Sequence, residues 1–345
     1  MKLRKPYVIG GPCSAETEEQ ICNIAKNIKD DIDVFRAGIW KPRTNPNSFE
    51  GVGLIGLEWL KKIKLKYELK VATEVATPQH VEHCLSAGVD ILWIGARTTV
   101  NPFYVQEIAE SLKGVDIPVF VKNPIHPELG LWLGALERLD NVGIKKLAAV
   151  HRGFYNYGNS AYRNNPKWEL PIKLRRESPN TPIICDPSHI SGNHILIEEI
   201  SQIAMDIDFD GLMIEVHNTP NLALSDAAQQ VTPKKLKTIL KNLIVRESKL
   251  KNNNVKQELA LLRNQINIFD TELIQLLSKR NNIVKEIANF KKQNQLTAFQ
   301  IERWFEILQT RTELGEKLKL DNQMIAEIYE LIHKYSILLQ TRIIR

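Results

Sequence analysis

Eight short runs rich in β-branched residues, each followed by a helical pattern, recur roughly every 20 to 35 residues between Tyr7 and about position 217. They are Tyr7 to Gly10, Val34 to Ala37, Lys70 to Val75, Ile91 to Ile94, Pro118 to Lys122, Lys146 to Val150, Pro182 to Cys185 and Leu212 to Val216. Parallel neighbours in a sheet need a long crossover, so this alternation predicts a parallel α/β arrangement. Several runs are almost wholly apolar, as strands covered on both faces must be. Eight such units in about 235 residues match the count and size of a (β/α)8 barrel of the TIM type. A doubly wound open sheet is the alternative that this pattern leaves standing.

The character of the chain changes after Pro233. Lys234 to Val245 reads as the last helix of the barrel, and Arg246 to Lys256 is polar and Asn-rich. From Val255 onward there is no proline and one glycine, Gly315. Leu259, Leu262, Ile266, Phe269, Leu273, Leu276, Ile283, Ile287 and Phe290 follow helical spacing for nearly forty residues. Two shorter helices are expected near Phe299 to Thr312 and Asp321 to Arg342. The expected division is a barrel over 1–246, a linker over 247–256 and a small all-α three-helix domain over 257–345. Three helices in about 90 residues enclose little core, so this domain is expected to form a homodimer.

Composition narrows the setting. Hydrophobic residues at 43% and charged residues at 25% are ordinary for a soluble globular protein. A formal net charge of +6 on 345 residues is too modest to imply nucleic acid, and suits phosphorylated or carboxylated small molecules as well. No apolar run approaches the ~20 residues of a membrane helix, and the chain enters a strand pattern at Tyr7 without a signal-peptide core. Cys13, Cys22, Cys84 and Cys185 form no CxxC pair. A cytoplasmic protein without membrane or nucleic-acid partners is expected, and a barrel beginning so close to Met1 is expected to carry no regulatory extension ahead of it.

Residues just after each barrel strand face the catalytic end of that fold. Here they are Cys13, Arg36, Glu74, Arg97, Lys122, Arg152, Asp186 with His189, and Glu215 with His217. One arginine after a strand is ordinarily a solvated loop residue. Arg36, Lys41, Arg97, Lys122 and Arg152 together suit a substrate bearing phosphate and carboxylate groups. Cys13, His189, Glu215 and Asp226 form a mixed sulfur, nitrogen and oxygen set, suited to a divalent ion such as Mn, Fe, Co or Zn.

Seven segments then resemble one family in order. Gly11-Pro12-Cys13-Ser14, Phe35-Arg36-Ala37-Gly38, Lys41-Pro42-Arg43-Thr44, Gly95-Ala96-Arg97, His151-Arg152-Gly153, Asp186-Pro187-Ser188-His189 and Glu215-Val216-His217 are similar to type I 3-deoxy-D-arabino-heptulosonate 7-phosphate synthases of the compact β subgroup. The resemblance implies Cys13, His189, Glu215 and Asp226 as metal ligands. It places phosphoenolpyruvate on Arg36, Lys41, Arg97, Lys122 and Arg152, and the phosphate of erythrose 4-phosphate on Arg43 and Thr44. Lys41 is the expected proton donor to the aldehyde oxygen, and a metal-bound water or Glu74 is expected to serve the water step. The related octulosonate synthase, acting on arabinose 5-phosphate, carries a Lys-Ala-Asn-Arg type sequence where this chain has Lys41-Pro42-Arg43-Thr44.

Cations also interrupt the apolar stripe of the long helix. Arg263, Arg280 and Lys291 are expected on one face, where they would be costly to bury without anionic partners. The segment from about Val255 to Gln340 resembles chorismate mutase of the all-helical class. That resemblance implies that Arg263, from a second subunit, and Arg280 hold the two carboxylates of chorismate. Lys291 and Gln340 would serve the ether oxygen, with Arg303 and Ser336 completing the pocket. The family usually has a carboxylate directly after the Arg303 position, contacting the substrate hydroxyl; here Trp304 stands there, and Gln300 is the expected substitute. Because both reactions belong to aromatic biosynthesis, the helical domain is also expected to bind prephenate or chorismate as a feedback effector of the barrel, or to act as a sensor alone.

Overall fold

The computed structural model describes residues 5–42, 47–157, 160–246 and 252–345. It divides into two compact units, Met1–Ser248 and Lys249–Arg345. The eight strands of the first unit are β1 (Tyr7–Gly11), β2 (Val34–Arg36), β3 (Lys70–Val75), β4 (Ile91–Ile94), β5 (Val119–Lys122), β6 (Leu147–His151), β7 (Ile183–Cys185) and β8 (Gly211–Glu215). They lie side by side in sequence order. β1 pairs in parallel with β8 from Tyr7 opposite Gly211 to Gly11 opposite Glu215, and that pairing closes the barrel and removes the open sheet as an alternative.

Each strand sends alternate side chains to opposite sides. Ile9, Val34, Ala72, Trp93, Phe120, Val150, Ile184 and Met213 fill the barrel interior. Val8, Phe35, Val71, Leu92, Val121, Ala149, Cys185 and Leu212 pack outward against the helices. One step of two beyond an interior residue lies the catalytic end: Val34 leads to Arg36, Ala72 to Glu74, Phe120 to Lys122, Val150 to Arg152, Ile184 to Asp186 and Met213 to Glu215. The period of the strand therefore aims these charged groups at a common floor made by the layer beneath them.

The second unit contains three helices, Asn253–Gln293, Ile301–Lys317 and Asn322–Ile344. The first, at 41 residues, is about 60 Å long. It begins four residues inside the expected linker. Asn252 is the reason, because its side chain accepts from the backbone N–H of Asn254 and caps the helix; an Asn-rich stretch had the composition of a linker and the chemistry of a cap. Residues 247–251, the rest of that linker, lie outside the described residues. Only Val284, Ala288 and Lys291 of the long helix are buried. Leu262, Ile266, Phe269, Leu273, Leu276 and Ile283 are each more than half exposed.

Candidate active sites

In the barrel, Cys13 Sγ, a Glu215 oxygen and an Asp226 oxygen lie within 4.8 Å of one another. Cys13 Sγ is 3.3 Å from Asp226 Oδ2. His189 Nε2 stands 3.8 Å from Glu215 Oε1, at the edge of the cluster, while Nδ1 lies 2.9 Å from Asp186 Oδ2. Burial holds the His189 imidazole below its usual pKa, which favours the neutral ring that a metal requires. Asp186 beside Nδ1 is the usual device for turning the other nitrogen toward an ion. Burial pushes the Cys13 thiol up to about 12, with Glu215 adding to it. A dication would reverse that balance and stabilise the thiolate. The donor set and its spacing fit a divalent ion.

The cations surround this cluster. Lys41 Nζ donates to Cys13 Sγ at 3.1 Å, and Gly38 makes that approach possible, since a Cβ there would lie 2.8 Å from Lys41 Cε. Arg36 is fully buried, pairs with Glu215 at 3.1 Å, donates to the Cys13 carbonyl, and lies 4.8 Å from the Trp93 ring. Lys122 pairs with Asp186 at 2.8 Å in the interior. Burial would raise Asp186, but His189 and Lys122 more than offset it and hold the carboxyl well below its usual range. Glu215 is likewise low despite its burial, through His189 and Arg36. Glu74 accepts from Trp93 Nε1 at 3.2 Å. A Cβ on Gly95 would lie 2.0 Å from Glu74 Oε1, so Gly95 leaves the space that this carboxylate fills.

Arg152 donates to Asn164 Oδ1 at 2.7 Å, and burial pulls its pKa down to about 10, with Arg163 and Arg97 pressing in the same direction. Arg97 itself is exposed, in the short helix Ala96–Thr99 after β4. Arg43 and Thr44 lie outside the described residues. Several supporting residues lie outside the set of strand-end residues read from the sequence. Arg163 donates to Asp226 at 2.9 Å and to Gln229 at 2.7 Å. Gln229 in turn donates to Glu215, and Gln230 accepts from the Cys13 backbone. Asn123 accepts from the Arg152 N–H and donates to the Gly153 carbonyl. Asp226 holds left-handed backbone at φ 48°, a conformation that costs energy in a non-glycine residue and gathers at functional sites.

In the helical unit, Arg280 donates to Ser336 Oγ at 2.6 Å. Lys291, Ser336 and Gln340 are buried, and burial lowers the Lys291 pKa. Lys291 and Gln300 line one cavity with Glu286, Ile287, Phe290 and Leu296. Arg303 is exposed and pairs with Glu306 at 2.6 Å. Arg263 corrects the expectation of a shared face. Seventeen residues of α-helix turn it about 100° from Arg280 and carry it about 25 Å along the axis. It is exposed and does not reach this pocket within one chain.

Residues 3–252 match the family described as the DAHP synthetase I family, and residues 262–341 match chorismate mutase type II. The phospho-2-dehydro-3-deoxyheptonate aldolase of Thermotoga maritima is 32% identical over 225 residues, covering 65% of this chain and 64% of the relative. This chain thus spans slightly less than two thirds of that relative's length. A 2-dehydro-3-deoxyphosphooctonate aldolase of Polaromonas sp. is 26% identical over 278 residues, covering 73% and 94%. Two of the solved structures that share the fold come from one organism. One is the Thermotoga maritima DAHP synthase, at 30% identity and a TM-score of 0.62, covering 68% of this chain and 67% of that one. The other is a truncated form of 3-deoxy-D-arabino-heptulosonate 7-phosphate synthase from the same organism, at 27% identity and a TM-score of 0.59, covering 68% and 84%.

Proposed function

Because the chain belongs to the DAHP synthetase I family and carries a chorismate mutase type II segment, we propose that it catalyses two reactions of aromatic biosynthesis. The barrel condenses phosphoenolpyruvate with erythrose 4-phosphate to the seven-carbon sugar phosphate and inorganic phosphate. The helical unit rearranges chorismate to prephenate. The observation that carries the first reading is the convergence of Cys13, Glu215 and Asp226 within 4.8 Å, ringed by buried Arg36 and Lys122 and half-buried Lys41.

Cys13, Glu215, Asp226 and His189 would hold the divalent ion, which supplies Lewis-acid polarisation of the aldehyde. Arg36, Lys122, Arg152, Arg97 and Lys41 bind the phosphate and carboxylate of phosphoenolpyruvate and fix C3 in line with the carbonyl carbon. As the new bond forms, Lys41 gives its proton to the aldehyde oxygen. Glu74 assists the addition of water at C2, after which phosphate departs. Arg43 and Thr44 take the phosphate of the aldehyde. The Lys41-Pro42-Arg43-Thr44 sequence favours erythrose 4-phosphate over arabinose 5-phosphate, as does the higher identity to the heptonate relative. Phosphate release measured with each aldehyde tests this, and a preference for arabinose 5-phosphate would overturn it.

The mutase pocket needs no metal and no nucleophile, because its reaction is a rearrangement eased by fixed charges. Arg280 and a second subunit's copy of Arg263 hold the carboxylates, while Lys291 and Gln340 serve the ether oxygen. Arg303, Ser336 and Gln300 complete the contacts. The separation of Arg263 from Arg280 along one helix supports a homodimer formed through the exposed apolar stripe. A chain carrying both ends of the route can also use the helical unit as a feedback element, with prephenate as effector. The same segment acting only as a sensor would bind prephenate and leave chorismate unchanged.

A further inference from the structure

Half-buried His333 in the helical unit carries a buried ring nitrogen that has no hydrogen-bond partner among the described residues and no role in the proposed reactions. His333 lies one helical turn before Ser336 and two before Gln340, so all three share a face of the helix Asn322–Ile344. Its ring stacks on Trp304 at 4.2 Å between centroids, with the planes 24° apart, and meets Phe299 edge-on at 5.9 Å. Nε2 is buried without a hydrogen-bond partner among the described residues, as is Gln340 Oε1. Arg280 and Lys291 are close enough that both act against protonation of the ring, after burial itself. A buried nitrogen left without a hydrogen bond near two cations costs stability unless a ligand completes it.

We propose that His333 contacts the ring hydroxyl of chorismate, in place of the carboxylate that the Trp304 position usually supplies. The inference rests on the mutase reading of this pocket. A hydroxyl both donates and accepts, so either tautomer of a neutral imidazole can pair with it. Trp304 provides no hydrogen bond on its stacked face; it fixes the plane of the imidazole and thereby the direction of Nε2. The two departures, Trp304 and His333, thus act as one unit: the platform occupies the old carboxylate position and the polar group comes from the neighbouring helix.

The test uses the full chain and two substrates, chorismate and an analogue lacking the ring hydroxyl. His333→Phe keeps an aromatic ring on Trp304 and removes the nitrogen. It should lower kcat/KM for chorismate about tenfold, the loss of roughly one hydrogen bond, and leave turnover of the analogue unchanged. His333→Gln should recover chorismate turnover to within about threefold of wild type by restoring a polar atom. An equal fall on both substrates, or no fall on either, overturns the proposal in favour of packing alone. If the wild-type chain leaves chorismate intact, the mutase reading fails separately, and calorimetry with prephenate then decides for His333. About tenfold weaker binding by His333→Phe supports the contact, and unchanged or absent binding overturns it.

Discussion

In the proposed mechanism Lys41 and Glu74 carry the two proton-handling roles, and each depends on a glycine for its place. Replacing Lys41 with Met removes the donor beside Cys13 Sγ. Turnover at saturating substrate should fall by about 10²- to 10⁴-fold, the ordinary worth of a positioned acid; near-normal turnover would contradict that role. Gly95→Ala tests Glu74 without touching it, because the added methyl must displace Oε1. A displacement of about 1 Å at a reacting group costs roughly 10²-fold, and the loss should appear in kcat rather than in the phosphoenolpyruvate KM. Cys13→Ser would exchange the proposed thiolate ligand for a poorer one. The purified protein should then retain markedly less divalent metal, measured by atomic emission, with the melting curve of the helical unit unchanged.

The strands explain why so much of the barrel site could be read from the sequence. Their interior positions repeat every second residue, so Arg36, Glu74, Lys122, Arg152 and Glu215 were legible as strand-end charges before any contact was known. Arg163, Gln229 and Asn164 were not, because they reach the site from loops or hydrogen-bond to other polar groups, and neither role leaves a period. The buried Lys122–Asp186 pair joins β5 to the segment after β7. Asp186→Asn should destabilise the barrel by about 3–5 kcal/mol, since an unpaired ammonium would remain inside. The sign with pH follows from the depressed Asp186 pKa. Its contribution is present above the unfolded value near 4 and lost as pH falls through the lower folded value. Thermal melts should decline below about pH 4 in the wild type, and less steeply in Asp186→Asn. In the long helix, the spacing of apolar residues was legible, but not which of its cations share a pocket. Paired Ile266→Asp and Leu273→Asp changes on its exposed stripe should convert a dimer to a monomer in sedimentation, and remove mutase turnover by separating Arg263 from the other pocket.

Two units on one chain, each with its own cluster of buried polar side chains, are what the proposed first reaction and later reaction of one route require. Prephenate should inhibit the full chain, whereas a chain ending at Arg246 should keep its condensation activity and lose that inhibition; undiminished inhibition would place the effector elsewhere. No described helix is long and apolar enough to cross a membrane, and both proposed sets of substrates are small, anionic molecules. In the proposed barrel site, four side chains drawn from distant parts of the first unit hold a divalent ion that the condensation requires. That requirement is tested by following phosphate release from phosphoenolpyruvate and erythrose 4-phosphate by the full chain, before and after treatment with EDTA and again after a divalent metal is restored. Release should be rapid, be lost on chelation and return with the metal. Release that continues undiminished in excess EDTA, or substrate binding with no release under any condition, would contradict it.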